Sequence, residues 1–267
     1  AAAPKEEESP IRLEPLLGQS GLEEVIVAAY GDYVTESTDL PVPDVIRTEA
    51  KKTLPPRVKN WKDVLGSGDR PGPALAEAED PAAICYTSGT TGNPKGAIRS
   101  HRGMAMLALM TQVELSLVRH DDALLVMPMC HANSLNFFTS FLTCGAATTV
   151  FSSASFDPEL CLRTFAETGT TFTSLVPTHY TMMLDVPAAE RGKANYDRVE
   201  KLMISSAPAR ADTKRAVMEM FRNSGLFELY GSTEGGWVTM LHPDEQFDKL
   251  GTVGRETIGS APIKFFD

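Results

Sequence analysis

Ile-Cys-Tyr-Thr-Ser-Gly-Thr-Thr-Gly-Asn-Pro-Lys-Gly is the sequence of residues 84–96, and it is the most informative stretch of the chain. It follows a predicted strand, Ala82–Tyr86, and leads towards a predicted helix that begins near Ser100. Its glycines allow tight turns and a close approach of the backbone to a ligand, and Lys95 adds a positive charge. Hydroxyl groups for hydrogen bonds come from Thr87, Ser88, Thr90 and Thr91. This combination is typical of a loop that holds phosphate oxygens.

Two common nucleotide-binding patterns do not fit this loop. A P-loop NTPase requires glycine before the lysine and Ser or Thr after it, whereas Lys95 lies between Pro94 and Gly96. A Rossmann or flavodoxin-like cofactor binder is disfavoured because no G-x-G-x-x-G pattern follows the first strand. The remaining alternative is an exposed Ser/Thr/Gly linker, which the ordered match to a phosphate-binding design makes improbable.

The chain changes character on the amino-terminal side of the loop. Residues 1–80 are rich in Pro, Gly and charge, with one apolar stretch, Glu24–Tyr30, which we predict to be a strand. We expect them to form an irregular segment of the same domain. Residues 81–267 alternate short apolar runs with segments of helical period, which predicts an α/β core of mostly parallel sheets flanked by helices. Its predicted strands are Ala82–Tyr86, Ala123–Met127, Ala146–Phe151, Thr171–Leu175, Lys201–Ser205 and Leu226–Tyr230.

Two helix boundaries are marked in the sequence. Asp157-Pro158 predicts an N-cap followed by a first-turn proline. Gly225 predicts the stop of a helix that covers Ala211–Ser224. These signals support the alternation of strands and helices in the core.

The composition and charge of the chain disfavour several classes of function. The 267 residues are 42% hydrophobic, and their formal net charge of -10 disfavours a surface that binds nucleic acid or an anionic membrane. The cysteines show neither zinc spacing nor a disulfide framework; they are Cys85, Cys130, Cys144 and Cys161. The acidic first residues do not resemble a signal peptide, and no apolar run is long enough to span a membrane. We therefore expect a soluble, cytoplasmic protein.

Residues 86–96 resemble the phosphate-binding loop of the adenylate-forming superfamily, which includes acyl- and aryl-CoA synthetases, firefly luciferase and peptide-synthetase adenylation domains. Three later motifs of that family follow in order. Met127–His131 resembles its Pro-x-x-His segment, Ser205–Pro208 its Gly-Gly-Ala-Pro turn against the adenine, and Leu229–Gly235 its Tyr-Gly-x-Thr-Glu motif. The resemblance continues through Gly251–Arg255 and Ile263–Asp267, so that it covers the chain from about Pro56 onward.

This resemblance implies roles for single residues. Tyr230 would stack on adenine, Thr233 would bond the α-phosphate and Glu234 would help to hold Mg²⁺, with Lys95, Thr233 and Glu234 as the catalytic set. The expected nucleotide-binding residues are Thr87, Ser88, Gly89, Thr90, Thr91, Gly92, Lys95, Ser206, Ala207, Pro208, Tyr230, Gly231, Ser232 and Thr233.

An acid-binding pocket is expected beside these motifs. The family often has glycine where Ser134 stands, and a glycine where Ser206 stands, so the backbone path is expected to differ at those two positions. The expected acid-binding residues are His131, Asn133, Ser134, Phe137, Phe138, Gly235 and Trp237.

The implied reaction joins a carboxylic acid to ATP with Mg²⁺ and then passes the acyl group to coenzyme A. The apolar pocket residues favour a fatty or aromatic acid, because no acidic residue is evident to meet an ammonium group. An amino-acid adenylation domain is the nearest enzymatic alternative.

A third hypothesis is that the chain is a non-catalytic nucleotide- or acyl-binding fragment. The family's Thr-Gly-Asp motif and its C-terminal lid domain with a lysine do not occur in this sequence, so we expect a truncated portion of the enzyme. Apolar surface left without its docking segments makes a homodimer an open alternative.

Overall fold

A computed structural model describes residues 16–19, 21–34, 42–47, 53–68, 70, 72–89, 92–153 and 155–264. Thr90 and Thr91 of the predicted phosphate loop, and residues 265–267 of the last resembling segment, lie outside the described residues. Contacts divide the chain into two compact units, one of Ala1–Leu75 with Ser152–Ser155 and one of Ala76–Phe151 with Phe156–Asp267. All the predicted site residues belong to the second unit.

The first unit contains a small parallel strand pair. Strand β1 (Val25–Val27) pairs with β2 (Val58–Asn60), and the facing residues Val25 and Val58 are both buried. The predicted strand Glu24–Tyr30 is correct only at its centre, because a 3-10 helix begins at Tyr30. Among its described residues, this unit contains the α-helices α1 (Asp44–Arg47) and α2 (Trp61–Gly66).

The second unit opens with an antiparallel hairpin. Strand β3 (Pro81–Thr87) pairs with β4 (Lys95–Ser100) in a separate two-stranded sheet. The sequence predicted β3 but not β4, since we expected the loop to lead directly towards a helix. That helix, α3 (His101–Glu114), does begin at the predicted place, and the Ser100 hydroxyl caps it by accepting a hydrogen bond from the Gly103 N–H at 3.2 Å.

A seven-stranded sheet forms the centre of the second unit. Its order is β11-β10-β9-β8-β7-β5-β6, and each pair of neighbours from β9 to β6 is parallel. The pairs β9–β10 and β10–β11 are antiparallel, so the predicted mostly parallel α/β fold is confirmed with an antiparallel edge. The strands are β5 (Asp122–Leu125), β6 (Ala147–Val150), β7 (Phe172–Leu175), β8 (Lys201–Ser205), β9 (Gly225–Ser232), β10 (Gly236–Leu241) and β11 (Arg255–Glu256).

Hydrophobic cores cover both faces of this sheet. Successive residues of β5 enter opposite cores: Leu124 packs with Leu162 and Phe165, whereas Leu125 packs with Phe137. This alternation is the two-residue period of a strand, and burial on both faces is what mostly parallel sheets require. The helices after α3 are α4 (Ala132–Cys144), α5 (Pro158–Thr168), α6 (Pro177–Asp185), α7 (Ala188–Arg191) and α8 (Ala211–Met220).

The predicted helix ends are partly correct. The Asp157 carboxylate caps α5 by accepting from the Leu160 N–H at 3.0 Å, and Pro158 is the first helical residue, as predicted. Helix α8 ends at Met220 rather than Ser224, because the buried Phe221 leaves the helical conformation to enter the core. Within the described ranges, no helix combines the length and the apolar character needed to cross a bilayer.

Candidate active site

The phosphate loop, defined here as Thr87–Lys95, is the tip of the β3–β4 hairpin. Thr87 and Lys95 form its last strand pair, and the Thr87 hydroxyl donates to the Lys95 carbonyl at 3.4 Å. Gly89 has a φ of 68°, and a Cβ there would lie 2.2 Å from the carbonyl oxygen of Asn93. Only glycine fits this position, because both the backbone conformation and the space exclude a side chain.

The acidic turn, defined here as Tyr230–Gly235, connects β9 to β10. A Cβ on Gly231 would lie 2.3 Å from the carbonyl oxygen of Gly236 on the facing strand, so the two backbones touch there. The Ser232 hydroxyl accepts from the Gly235 N–H at 2.8 Å and closes the turn. Thr233 and Glu234 therefore lie at the apex, where Thr233 is half-buried and Glu234 is exposed.

Arg99 holds the acidic turn from the neighbouring hairpin. Its Nη2 and Nε donate to the carbonyl oxygen of Thr233 at 2.7 and 3.2 Å, and its Nη1 donates to the Asn136 side-chain oxygen at 3.3 Å. Sequence reasoning missed Arg99 and Asn136. The available signal was an arginine within the short strand β4, but its partner lies 134 residues away and no local pattern identifies it.

The turn after β8 has a backbone that suits glycine although serine occupies it. Ser206 has a φ of 71°, in the left-handed region that costs an L residue about 1–2 kcal/mol. The family's glycine would adopt this conformation without strain, so here the serine keeps the turn at an energetic cost. Ser206, Ala207 and Pro208 are all exposed.

A buried ion pair lies beneath the same turn. Lys214 on α8 pairs with Glu228 on β9, and both side chains are almost fully buried. The other oxygen of Glu228 accepts from the Ala209 N–H at 3.4 Å. The pair thus connects α8, β9 and the residue that follows Pro208.

The segment Met127–Asn133 joins the ends of three strands. The His131 Nδ1 accepts from the Asn133 N–H at 3.1 Å and caps α4. The Asn133 side-chain nitrogen donates to the hydroxyls of Ser174 at 2.9 Å and Ser205 at 3.0 Å, so it links the carboxyl ends of β7 and β8. Buried Ser134 has no left-handed backbone; it lies inside α4 and donates to the Met127 carbonyl at 2.5 Å.

Two cavities lie on either side of Gly236 and Trp237. The first has a volume of about 240 Å³ and is open to solvent. Its lining contains seven predicted residues that lie in or beside three motif segments, together with Asn136 and four further neighbours. The predicted residues that line it are His131, Asn133, Ser206, Gly231, Ser232, Thr233 and Trp237.

The second cavity has a volume of about 510 Å³ and lies between α3, β4 and the start of β10. Glu234, Gly235 and Trp237 line it, as does Arg99. The sequence did not identify its apolar wall on α3, which consists of Met106, Leu107 and Met110. The two cavities share Gly236 and Trp237, so this short stretch of backbone and indole separates them.

Several predicted residues do not line either cavity. Phe137 is fully buried and packs on Trp237 with ring centroids 5.1 Å apart, so it supports the cavity wall from the core. Tyr230, the first residue of the acidic turn, is 55% exposed. The others outside both linings are Phe138, Ser134, Ala207, Pro208 and the described residues of the phosphate loop: Thr87, Ser88, Gly89, Gly92 and Lys95.

The α/β fold is shared with solved N-terminal domains of the acyl-CoA synthetase type. A solved N-terminal domain of FACL13 from Mycobacterium tuberculosis, bound to an inhibitor, superposes with a TM-score of 0.68 at 24% identity over 94% of this chain and 60% of that one. The ATP-bound RpMatB-BxBclM chimera B3 has a TM-score of 0.58 at 30% identity, over 68% of this chain and 35% of the chimera.

Residues 10–264 match the family described as AMP-binding enzyme, and the chain belongs to that family. The indoleacetate–CoA ligase of Aromatoleum aromaticum is 31% identical over 180 residues, which are 66% of this chain and 34% of that ligase. The chain spans about a third of the length of the first curated relatives it matches. The resemblance found in the sequence motifs is therefore confirmed at the level of the family.

Proposed function

We propose that the full-length protein that carries this chain activates a carboxylic acid with ATP and transfers it to coenzyme A. The first step gives an acyl-adenylate and pyrophosphate, and the second gives the thioester and AMP. Membership of the AMP-binding enzyme family supports this function, and the matching relatives have names such as indoleacetate–CoA ligase and 4-coumarate–CoA ligase. The observation that carries the proposal is the meeting of three motif segments, Met127–Asn133, Ser205–Pro208 and Tyr230–Gly235, around one cavity at the carboxyl ends of the parallel strands.

The nucleotide would bind across the ends of β8 and β9. The Ser206–Pro208 turn follows β8, and Tyr230 lies near the end of the adjacent parallel strand β9. Both are exposed, which leaves the phenol ring free to stack on adenine. Thr233 would donate its hydroxyl to the α-phosphate. The phosphate loop would hold the outer phosphates through Thr87, Ser88, Thr90, Thr91 and Lys95.

Glu234 fits a magnesium site of the kind found in nucleotide enzymes. Mg²⁺ usually takes one or two protein carboxylates and completes its oxygen ligands with substrate phosphates and water. The described residues contain no cluster of three or more His, Cys, Asp or Glu, which agrees with a single protein carboxylate rather than a protein cage. When bound, Mg²⁺ would neutralise phosphate charge, while Glu234 keeps the ion at the apex of the acidic turn.

The acid would occupy the cavity of about 510 Å³. Met106, Leu107 and Met110 give it an apolar wall, and Trp237 separates it from the cavity of about 240 Å³, which we assign to the nucleotide. An apolar acyl group would lie along α3 with its carboxylate towards Glu234 and Gly235, so that it meets the α-phosphate near Thr233. This wall favours a fatty or aromatic acid over an amino acid.

The chain's own residues would accelerate the first step by position and charge. Two anions must meet, and donors fixed before the reaction are more effective than donors that must reorganise. Thr233 is such a donor, because Arg99 holds its carbonyl and Ser232 closes its turn. We further propose that the protein acts in the cytoplasm on small molecules and does not bind nucleic acid, in keeping with its net charge of -10.

Acid-dependent exchange of pyrophosphate into ATP tests the proposal. The full-length protein is assayed with a panel of fatty, aryl and amino acids, alongside Glu234→Gln and the control Glu219→Gln, which changes an exposed carboxylate on α8. We expect exchange with an apolar acid, a loss of about 10²–10³-fold in Glu234→Gln and less than a twofold change in the control. No exchange with any acid by the folded wild-type protein contradicts the proposed activity, and exchange only with amino acids contradicts the substrate class.

A further inference from the structure

Arg99 makes an unusual set of contacts for a strand residue. Only 9% of it is exposed, yet its three hydrogen bonds go to a backbone carbonyl and an amide oxygen. Among the described residues, no carboxylate lies within ion-pair distance of its guanidinium. A buried cation that meets only neutral oxygens costs free energy, which an apolar side chain of similar size would not.

The position of Arg99 suggests why a buried, unpaired positive charge is kept there. It lines the cavity of about 510 Å³, and its partners Thr233 and Asn136 line the cavity of about 240 Å³. Its charge therefore lies between the two cavities, where the acid's carboxylate and the α-phosphate would meet. It also belongs to the same strand as Lys95, about 13 Å further along at roughly 3.3 Å per residue.

We propose that Arg99 is a positioning residue for acyl-adenylate formation. It acts through the Thr233 carbonyl: the bidentate contact sets the direction in which the Thr233 hydroxyl and the Glu234 carboxylate leave the acidic turn. Its uncompensated charge lowers the cost of bringing the two anions together. This inference rests on the proposed function, because it concerns the rate of the first step of that reaction.

A positioning role differs from simple support of the fold in its kinetic signature. Loss of a scaffold residue lowers the amount of folded enzyme, but loss of a group that acts in the transition state lowers kcat while the KM for ATP stays nearly constant. Arg99→Met retains length and packing without charge or hydrogen bonds. Arg99→Lys retains the charge but loses the planar fork that grips one carbonyl with two donors.

The test measures pyrophosphate exchange in the full-length protein for Arg99→Met, Arg99→Lys and Arg99→Ala, with thermal unfolding recorded for each. We expect Arg99→Met to lose about 10²-fold in kcat with a KM for ATP within about threefold of wild type. Added guanidinium ion should restore about tenfold of the activity of Arg99→Ala, since it refills the vacated space with the same donors. The control Arg102→Met removes an exposed arginine that pairs with Glu79, and its kcat should change less than twofold.

Three outcomes overturn the inference. One is a wild-type kcat in folded Arg99→Met; if that variant unfolds, a wild-type kcat in Arg99→Lys has the same meaning. Another is a loss of activity in Arg99→Ala that guanidinium does not restore. The third is the failure of wild-type enzyme to exchange pyrophosphate with any acid, which overturns the proposed function and this inference with it. The first two leave the proposed function intact.

Discussion

The phosphate loop and the acidic turn both connect antiparallel strands and both depend on glycine, but they are held in different ways. The phosphate loop lies at the end of a two-stranded sheet whose Ile84, Tyr86 and Ile98 side chains are exposed, and its described contacts are made within the loop itself. The acidic turn connects two neighbouring strands of the central sheet, next to buried Trp237, and Arg99 on another strand donates hydrogen bonds to it. Two motifs of similar strength in the sequence thus have unequal structural support.

The unequal support suits the acidic turn and the phosphate loop to different roles. The acidic turn is fixed in advance, which suits groups that must face the reacting atoms in one geometry. The phosphate loop offers backbone and hydroxyl donors at the tip of a hairpin, which suits the capture of the outer phosphates. Substitutions in the turn should therefore affect stability and catalysis together, whereas those in the loop should act mainly on nucleotide affinity.

The largest expected effect is in the acidic turn. Gly231→Ala places a Cβ against the Gly236 backbone at 2.3 Å, which no side-chain movement relieves, and we expect a loss of about 3 kcal/mol in the free energy of unfolding. Gly235→Ala is the matched control, because its nearest neighbour is the Ser232 hydroxyl at 3.2 Å. Urea unfolding measures both, and equal stability of the two variants would show that the turn is not tightly packed.

The next effect compares two glycines of the phosphate loop. Gly89 and Gly92 both have positive φ, but only at Gly89 would a Cβ collide with backbone, the Asn93 carbonyl. Each alanine variant bears left-handed strain of about 1–2 kcal/mol, so the difference between the two variants isolates the collision. We expect Gly89→Ala to bind ATP about tenfold more weakly than Gly92→Ala, which is about 1.4 kcal/mol in a calorimetric titration. Equal affinities would mean that the loop does not need its present conformation to bind.

A smaller gain in stability, rather than a loss, is expected from a substitution in the turn after β8. Ser206→Gly removes the left-handed strain of serine but gives the unfolded chain more freedom, so the net gain in stability should be about 0.5–1 kcal/mol. Ser205→Gly, in the buried end of the strand, should lower stability instead, since it removes the hydroxyl that accepts from Asn133. A loss of stability in Ser206→Gly contradicts the assignment of strain to this turn.

The smallest expected effect is a pH dependence of stability that arises outside both loops. His179 on α6 stacks on Phe156 at 4.1 Å, its Nδ1 has no hydrogen-bond partner among the described residues, and burial lowers its pKa below the usual 6.5. Below pH 6.5 the unfolded state binds more protons at this residue, so wild-type stability falls as pH falls. His179→Phe should lose less stability than wild type between pH 7.5 and 5.5, by tenths of a kcal/mol; parallel profiles would contradict this.

The sequence predicted the parallel strands well because their apolar runs carry a strong local signal. Strand β4 was not predicted because its sequence, Lys-Gly-Ala-Ile-Arg-Ser, is too polar to indicate a strand. Its stability comes from pairing with β3. Strand β10 is different, because Gly-Trp-Val-Thr-Met-Leu is apolar and buried; it was not predicted because it directly follows the glycines of the acidic turn, which are typical of a loop. For β4, the pairing between strands supplies the element, and the composition of the single strand does not encode it.

For the site, the motifs predicted segments that meet at one edge of the sheet, but not where each side chain lies. Seven of the predicted residues line the proposed nucleotide cavity, because motifs at the ends of parallel strands converge at one edge of the sheet. Phe137 and Ser134 face the core instead, since the helical period of α4 turns them inward. The sequence did not predict Arg99 or the apolar wall on α3, because their partners lie far away in sequence.

The most direct test of the central claim, that the phosphate loop and the acidic turn bind one nucleotide, is calorimetric titration of the full-length protein with ATP and Mg²⁺. Wild type, Lys95→Ala, Glu234→Gln and the double variant form one cycle. The account predicts one ATP per chain and a loss of at least about tenfold in affinity for each single variant. Unchanged affinity in both single variants, or no binding by folded wild type, would contradict it.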